Sequence, residues 1–192
     1  MMVVSGVARD EHGAIRLVCL VMAGGRGSRL GGVVKPTLRV CGKTLIEHVL
    51  HALQGLCRSV VIAVSGYTLN AVQGYCVNPN VECVYTPGSG YVEDLRLCLR
   101  LVRNRPLLVA PSDAIVDPAC LANAVAQALN ANSDIVTFVA RGEPTGFSLF
   151  LSGEDGTWTN MQLTCVLDVD EPRDLMEVEK VCDSMAGGRR QE

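Results

Sequence analysis

The sequence predicts a single three-layer α/β domain with a mostly parallel sheet and helices on both faces. Three observations carry that prediction. Short runs rich in Val, Leu and Ile alternate with amphipathic segments that open on helix-capping residues. The first apolar run empties into a glycine-rich loop, as strands of open α/β sheets do where they bind ligands. The composition is aliphatic, with 48% hydrophobic but only 4% aromatic residues in a chain of 192, which suits strands covered on both faces. A chain of this length buries roughly 70% of the surface its unfolded form exposes, so it needs no staples.

The first element is Leu17 to Met22, a buried strand that stops at Ala23-Gly24-Gly25. In the loop that follows, Gly24, Gly25 and Gly27 leave backbone N–H groups uncovered and allow positive φ, so successive amides can converge on a phosphate chain. Arg26, Arg29 and Lys35 add fixed charge, and the planar fork of Arg29 suits phosphate oxygens. Two familiar glycine loops are excluded. A dinucleotide fingerprint beginning at Gly25 and Gly27 would put Leu30 where its last glycine must let a helix press on the strand. A Walker loop ending in Gly42-Lys43-Thr44 would put Thr37 in place of its first glycine.

Thr44 and Glu47 form a capping-box pattern, and Leu45, Ile46, Val49, Leu50 and Leu53 recur at helical spacing up to Gly55. His48 and His51 on this helix have no carboxylate or Cys partner at metal-ligand spacing and read as a solvated face. Ser59 to Ser65 is a second strand, Leu69 to Tyr75 a short helix and Val81 to Tyr85 a third strand. The loop Thr86-Pro87-Gly88-Ser89-Gly90-Tyr91 leads into a helix from Val92 to Val102 and faces the first loop. Glu93 and Asp94 are favoured by the helix dipole, yet either carboxylate can accept from guanine N1 and N2.

Leu107 to Ala110 is a fourth strand ending at Pro111-Ser112-Asp113. A carboxylate past a central strand end, across from a phosphate loop, suits Mg²⁺. Asp117-Pro118 caps the next helix, through Leu129, and so leaves Asp113 for metal. Strands follow at Ile135 to Ala140 and Phe147 to Leu151, with a turn at Ser152 to Gly156. Trp158 reads either as a core anchor or as part of an acceptor pocket. Cys165-Val166-Leu167 leads to Asp168-Val169-Asp170-Glu171-Pro172, and Leu175, Val178 and Cys182 repeat at helical spacing to Met185. The expected organisation is an extension at 1–14, one domain at 15–186 and a disordered tail at 187–192.

Net charge −3 and pI about 5.6 argue against a nucleic-acid binder, so phosphate recognition is local. No apolar run has the length of a membrane span, and the opening MMVVSGVARDEHGA lacks the apolar core of a secretion signal. The 9 cysteines are odd in number and none forms C-x-x-C, so they read as reduced core residues of a cytoplasmic protein.

Five stretches, MAGGRGSRLGGVVKP, CGKTLIEHV, GSGYVEDL, LLVAPSD and LDVDEPRDL, resemble in order and separation the archaeal-type GTP:adenosylcobinamide-phosphate guanylyltransferases, within the MobA-like NTP transferase group. PTGFSLF, Pro144 to Phe150, resembles a family segment ending in Gly-hydrophobic-Asn, with Ser148 at the Asn position. The resemblance implies the Rossmann-like fold of the nucleotide-diphospho-sugar transferases. It implies a nucleotide-binding set of Ala23, Gly24, Gly25, Gly27, Ser28, Arg29, Lys35, Gly88, Ser89, Gly90 and Glu93. Arg29, Lys35 and Asp113 would be catalytic, with Mg²⁺ on Asp113 and Asp168 or Asp170 open as a second carboxylate.

The reaction implied is attack by adenosylcobinamide phosphate on the α-phosphorus of GTP, giving adenosylcobinamide-GDP and pyrophosphate. The acceptor already carries an anionic oxygen, so the absence of a Ser, Cys or His nucleophile triad is consistent. The partners implied are GTP and a phosphorylated corrinoid, with neither nucleic acid nor a membrane, and a homodimer as an open assembly. Two alternatives stand beside it: the same fold serving molybdopterin or a sugar or polyol phosphate, and a nucleotide sensor without turnover.

Overall fold

The computed structural model describes residues 8–9, 15–25 and 33–168. In chain order the strands are β1 (Ala8–Arg9), β2 (Ile15–Met22), β3 (Arg39–Val40), β4 (Lys43–Thr44), β5 (Cys57–Val64), β6 (Val81–Tyr85), β7 (Leu107–Pro111), β8 (Ala114–Val116), β9 (Ile135–Ala140), β10 (Glu143–Phe150), β11 (Trp158–Gln162) and β12 (Val166–Asp168). The helices are α1 (Leu45–Leu53), α2 (Leu69–Val72), α3 (Tyr91–Leu101) and α4 (Pro118–Ala128).

The main sheet runs β11-β9-β10-β7-β2-β5-β6. Pairing is parallel between β6 and β5, β5 and β2, β2 and β7, and β9 and β11, whereas β10 is antiparallel to both β7 and β9. The mostly parallel sheet of the sequence reading is therefore observed, with β2 central. Alternation along β2 explains the layers. Leu17, Cys19 and Val21 join the core formed with α1 and α4, while Val18, Leu20 and Met22 join the core formed with α3. Helices thus cover both faces. Ala8 and Arg9, inside the 1–14 segment, pair antiparallel with Arg16 and Ile15.

Local chemistry accounts for the helix starts. The Thr44 side chain accepts from Glu47 N at 3.3 Å, and Thr44 N donates to Glu47 Oε2 at 2.7 Å, closing the capping box at α1. That exchange with the Thr44 backbone is the first cause holding the Glu47 carboxyl below its usual range. Asp117 caps α4 by accepting from Cys120 N at 2.8 Å. His48 engages the Val40 carbonyl through Nε2 at 2.8 Å, a structural contact.

Several elements differ from the reading. The Leu69 to Tyr75 helix is α2 followed by a 3₁₀ turn, Gln73–Tyr75. The Phe147 to Leu151 strand is longer, because β10 begins at Glu143 and absorbs a register shift between Pro144 and Ser148 around Gly146. Trp158 is not a core anchor: it lies on the edge strand β11 and is 67% exposed. The β9–β10 connection is the two-residue turn Arg141-Gly142, both at positive φ, which matches the twist of the strands it joins. The helix read up to Met185 and the tail at 187–192 lie outside the described residues.

The cysteines require a correction. Disulfides join Cys19 to Cys57, Cys76 to Cys83 and Cys120 to Cys165, with Cα separations of 5.8, 5.6 and 6.4 Å. Cys41 is also disulfide-bonded, and Cys98 is the free, buried cysteine among the described residues. The partners come from neighbouring elements whose spacing the fold sets, and no sequence interval reveals it. Reduced thiols therefore no longer argue for a compartment. Among the described residues, no helix is long and apolar enough to cross a membrane.

Candidate active site

Strands β2, β5, β6 and β7 all end on one edge of the sheet, and their following loops meet there. The chain passes from β2 outward to β5 and β6, then returns to the other side of β2 as β7, so a switch point opens between the ends of β2 and β7. A cleft of about 500 Å³ lies there, lined by Met22, Gly24, Gly25, Lys35, Pro36, Gly88, Ser89, Gly90, Tyr91, Asp94, Pro111, Ser112 and Asp113. The two loops read as facing one another do so.

The backbone of β5 and the side chain of Ser65, just past its end, fix the start of the first loop. Ala23 N donates to the Ala63 carbonyl at 2.9 Å, and Ser65 Oγ donates to the Gly24 carbonyl at 2.8 Å. The opposite wall is equally tight. Gly88 has φ +70°, and a Cβ there would meet the Tyr67 ring at 3.1 Å and Ser65 Cβ at 3.2 Å. Both glycines therefore allow backbone to approach a ligand between them.

Lys35 stands on a 3₁₀ turn, Lys35–Thr37, whose Pro36 is buried and whose Thr37 Oγ1 donates to the Val34 carbonyl at 2.8 Å. Its Nζ lies 3.5 Å from Asp113 Oδ2, and both side chains are largely shielded, at 13% and 24% exposure. This is the central geometric fact of the cleft. A cation from one wall and a carboxylate from the other converge inside the cleft. Tyr91, the first residue of α3 and 52% exposed, also lines the cleft; desolvation around the hydroxyl, and then the Asp113 charge, raises the phenol above its usual range.

Of the residues read from sequence, Gly24, Gly25, Lys35, Gly88, Ser89, Gly90 and Asp113 are brought together. Ala23 is buried at the end of β2, behind them. Glu93 is exposed and does not line the cleft; its side chain folds back on Gly90, where a Cβ would meet Glu93 Oε2 at 2.6 Å. Its neighbour Asp94 lines the cleft instead and is 5% exposed. Helical spacing carried the signal, since Asp94 is one turn before buried Cys98 and joins it on the inward stripe of α3. Gly27, Ser28, Arg29 and Asp170 lie outside the described residues. The backbone of Asp168 is described: it pairs with Ala114, the residue after Asp113. Ser148 pairs with Val109 and Thr137 in mid-sheet, while nearby Gly146 abuts Pro111, where a Cβ would come within 3.0 Å.

Mg²⁺ fits these residues. It binds through one or two carboxylates plus phosphate oxygens rather than in an all-protein cage, and Asp113 supplies a carboxylate inside the cleft. Among the described residues no cluster of three or more His, Cys, Asp or Glu is found.

Comparison with known proteins adds four findings. A profile of the MobA-like NTP transferase domain matches residues 19–172. Over 101 residues the chain is 38% identical to the adenosylcobinamide-phosphate guanylyltransferase of Methanocaldococcus jannaschii, covering 50% of this chain and 51% of that protein. Over 103 residues it is 35% identical to the molybdenum cofactor guanylyltransferase of Pseudomonas syringae pv. syringae, covering 53% of this chain and 50% of that protein. The chain thus spans about half the length of these two curated relatives. In fold it resembles the inositol-1-phosphate CTP transferase from T. maritima, with a TM-score of 0.72, 14% identity, and 92% and 97% of the two chains covered.

Proposed function

Since the chain belongs to the MobA-like NTP transferase family, with 154 matched positions (residues 19–172) out of 192, we propose that it transfers GMP from GTP to adenosylcobinamide phosphate. The products are adenosylcobinamide-GDP and pyrophosphate. The observation that supports transfer rather than binding alone is the Lys35–Asp113 pair, 3.5 Å apart inside a glycine-walled cleft at the switch point. A non-catalytic sensor has no need of both charges at that position.

The chemistry requires little covalent help. An anionic oxygen of the acceptor phosphate attacks the α-phosphorus of GTP, the bond from that phosphorus to the bridging oxygen breaks, and pyrophosphate leaves with the electron pair. Catalysis is then positioning plus charge neutralisation. Gly24, Gly25 and Gly88 let backbone pack against the nucleotide, the Lys35 ammonium neutralises charge at the α-phosphate, and Tyr91 donates from the α3 side. Asp113 would hold Mg²⁺, which when bound neutralises the phosphate chain and orients it, with Asp168 or Asp170 open as a second carboxylate. Arg29 is assigned to the phosphates by its place in the motif.

Identity to the Methanocaldococcus protein supports guanine and the corrinoid, and the nearly equal span of identity to the Pseudomonas protein keeps molybdopterin as the second reading. Purified protein, Mg²⁺ and adenosylcobinamide phosphate, mixed with each NTP in turn, separate them. Pyrophosphate and nucleotidyl-corrinoid formed with GTP, and dependent on the corrinoid, support the proposal. Transfer to molybdopterin or to a sugar phosphate, with none to the corrinoid, sinks it.

A further inference from the structure

Asp94 is a buried carboxylate on the cleft wall whose Oδ1 has no hydrogen-bond partner. Its position is defined from three sides. A Cβ on Gly24 would lie 3.5 Å from Asp94 Oδ2 and 3.2 Å from Thr86 Oγ1, so the carboxylate sits directly behind the first glycine of the loop. Thr86 is turned away from it, donating through Oγ1 to the Val64 carbonyl at 3.2 Å. Ser65 is likewise committed, to the Gly24 carbonyl. A carboxylate with an unused acceptor in a shielded site is costly unless a donor arrives with a ligand.

Resting on the guanylyl-transfer reading above, we propose that Asp94 selects the base, its carboxylate accepting from guanine N1–H and the 2-amino group. Among the common bases only guanine presents two adjacent donors on its pairing edge. Adenine turns the N1 lone pair toward the carboxylate, and cytosine does the same with N3. Uracil has one N–H between two carbonyl oxygens. Each of these sets an acceptor against a buried acceptor, the mismatch that a hydrogen-bonding site rejects most strongly. Glu93, exposed and folded on Gly90, has no such role.

The test is calorimetric titration of GTP, ITP, XTP and ATP into wild type and D94N at fixed Mg²⁺. ITP lacks only the 2-amino group, and xanthine replaces that donor by a carbonyl oxygen, which the Asn amide can meet. Wild type is expected to bind GTP about ten-fold or more tighter than ITP, roughly the loss of one hydrogen bond to a charged group. D94N is expected to lose GTP affinity and to favour XTP over GTP. Equal wild-type affinity for GTP and ITP overturns the assignment, as does a D94N protein that keeps the wild-type preference for GTP over XTP. Should D94N fail to melt cooperatively, the GTP and ITP comparison in wild type decides alone. A wild type that prefers ATP overturns the guanylyl reading as well. One that makes the corrinoid product from GTP and ITP equally well sinks only the role of Asp94.

Discussion

At the scale of single residues, the proposed mechanism divides the work between Lys35, a charge that would meet the substrate, and Asp113, one that would meet its metal. Lys35→Ala is expected to lower turnover by a factor on the order of 10² to 10³, about 3 to 4 kcal/mol, as when one preorganised donor is lost from a charge-stabilising site. Steady-state kinetics check it, and near-normal kcat removes Lys35 from the mechanism. Asp113→Asn is expected to raise the Mg²⁺ concentration needed for half-maximal rate while leaving metal-free GTP binding largely intact. An unchanged Mg²⁺ titration moves the metal to another carboxylate. These two residues were legible in sequence because each follows a recognisable feature, a glycine loop and a strand end. Glu93 and Asp94 were not separable by residue type alone. Both are first-turn acids, and only the roughly 100° between consecutive helical positions sends one to water and the other into the cleft.

Elements show what periodicity reveals and what it hides. The buried strands and the capped helices α1 and α4 were readable because apolar spacing and cap residues are local signals. The reversed direction of β10 was not, since alternation has no arrow, and three-residue β8 and β12 are too short to alternate. The turn before β11 is held by a device that also escapes periodicity. Asp134 accepts from Ser152 Oγ, and from Thr157 N and Thr157 Oγ1, each at 2.8 Å in the Thr157 case. The Ser152 bond first, and then those from Thr157, hold the Asp134 carboxyl below its usual range. A depressed native value means the contribution is complete above the ordinary carboxylate value and fades as pH falls through the lower native one. Amide exchange at Thr157 is therefore expected to be slow at neutral pH and to quicken only in acid below about pH 4, relative to its intrinsic rate. In Asp134→Asn the amide should exchange faster already at neutral pH. A Thr157 amide whose protection is indifferent to that substitution contradicts the account.

Across the whole molecule, the disulfides tie distant parts of the chain, closing spans of 38 and 45 residues through Cys19–Cys57 and Cys120–Cys165. Each such closure restricts the unfolded chain by about 4 kcal/mol on a chain-entropy estimate. Cys120→Ser is thus expected to lower Tm by roughly 8 to 16 °C for a domain of this size, and reductant should have little further effect at that site. Calorimetry checks it, and a Tm within a degree or two of wild type shows that the bond carries no stability. Burial, and then the Asp94 charge, pushes the free Cys98 thiol up to about 11, which keeps it inert toward exchange with these bonds. The fold as a whole also bears on how this chain and its relatives diverge. Because β10 runs against β7, the Arg141-Gly142 turn emerges at the same sheet edge as the cleft. That turn is already as short as a hairpin allows, so evolution can only lengthen it, and each added residue would build outward over the β7 side of the cleft while the β2 and α3 walls stay as they are. Grafting a longer loop between Ala140 and Glu143 is then expected to change which phosphorylated acceptor is used and to leave GTP affinity unchanged; a graft that alters GTP binding and acceptor choice together would show that the two halves of the cleft did not evolve as separable modules.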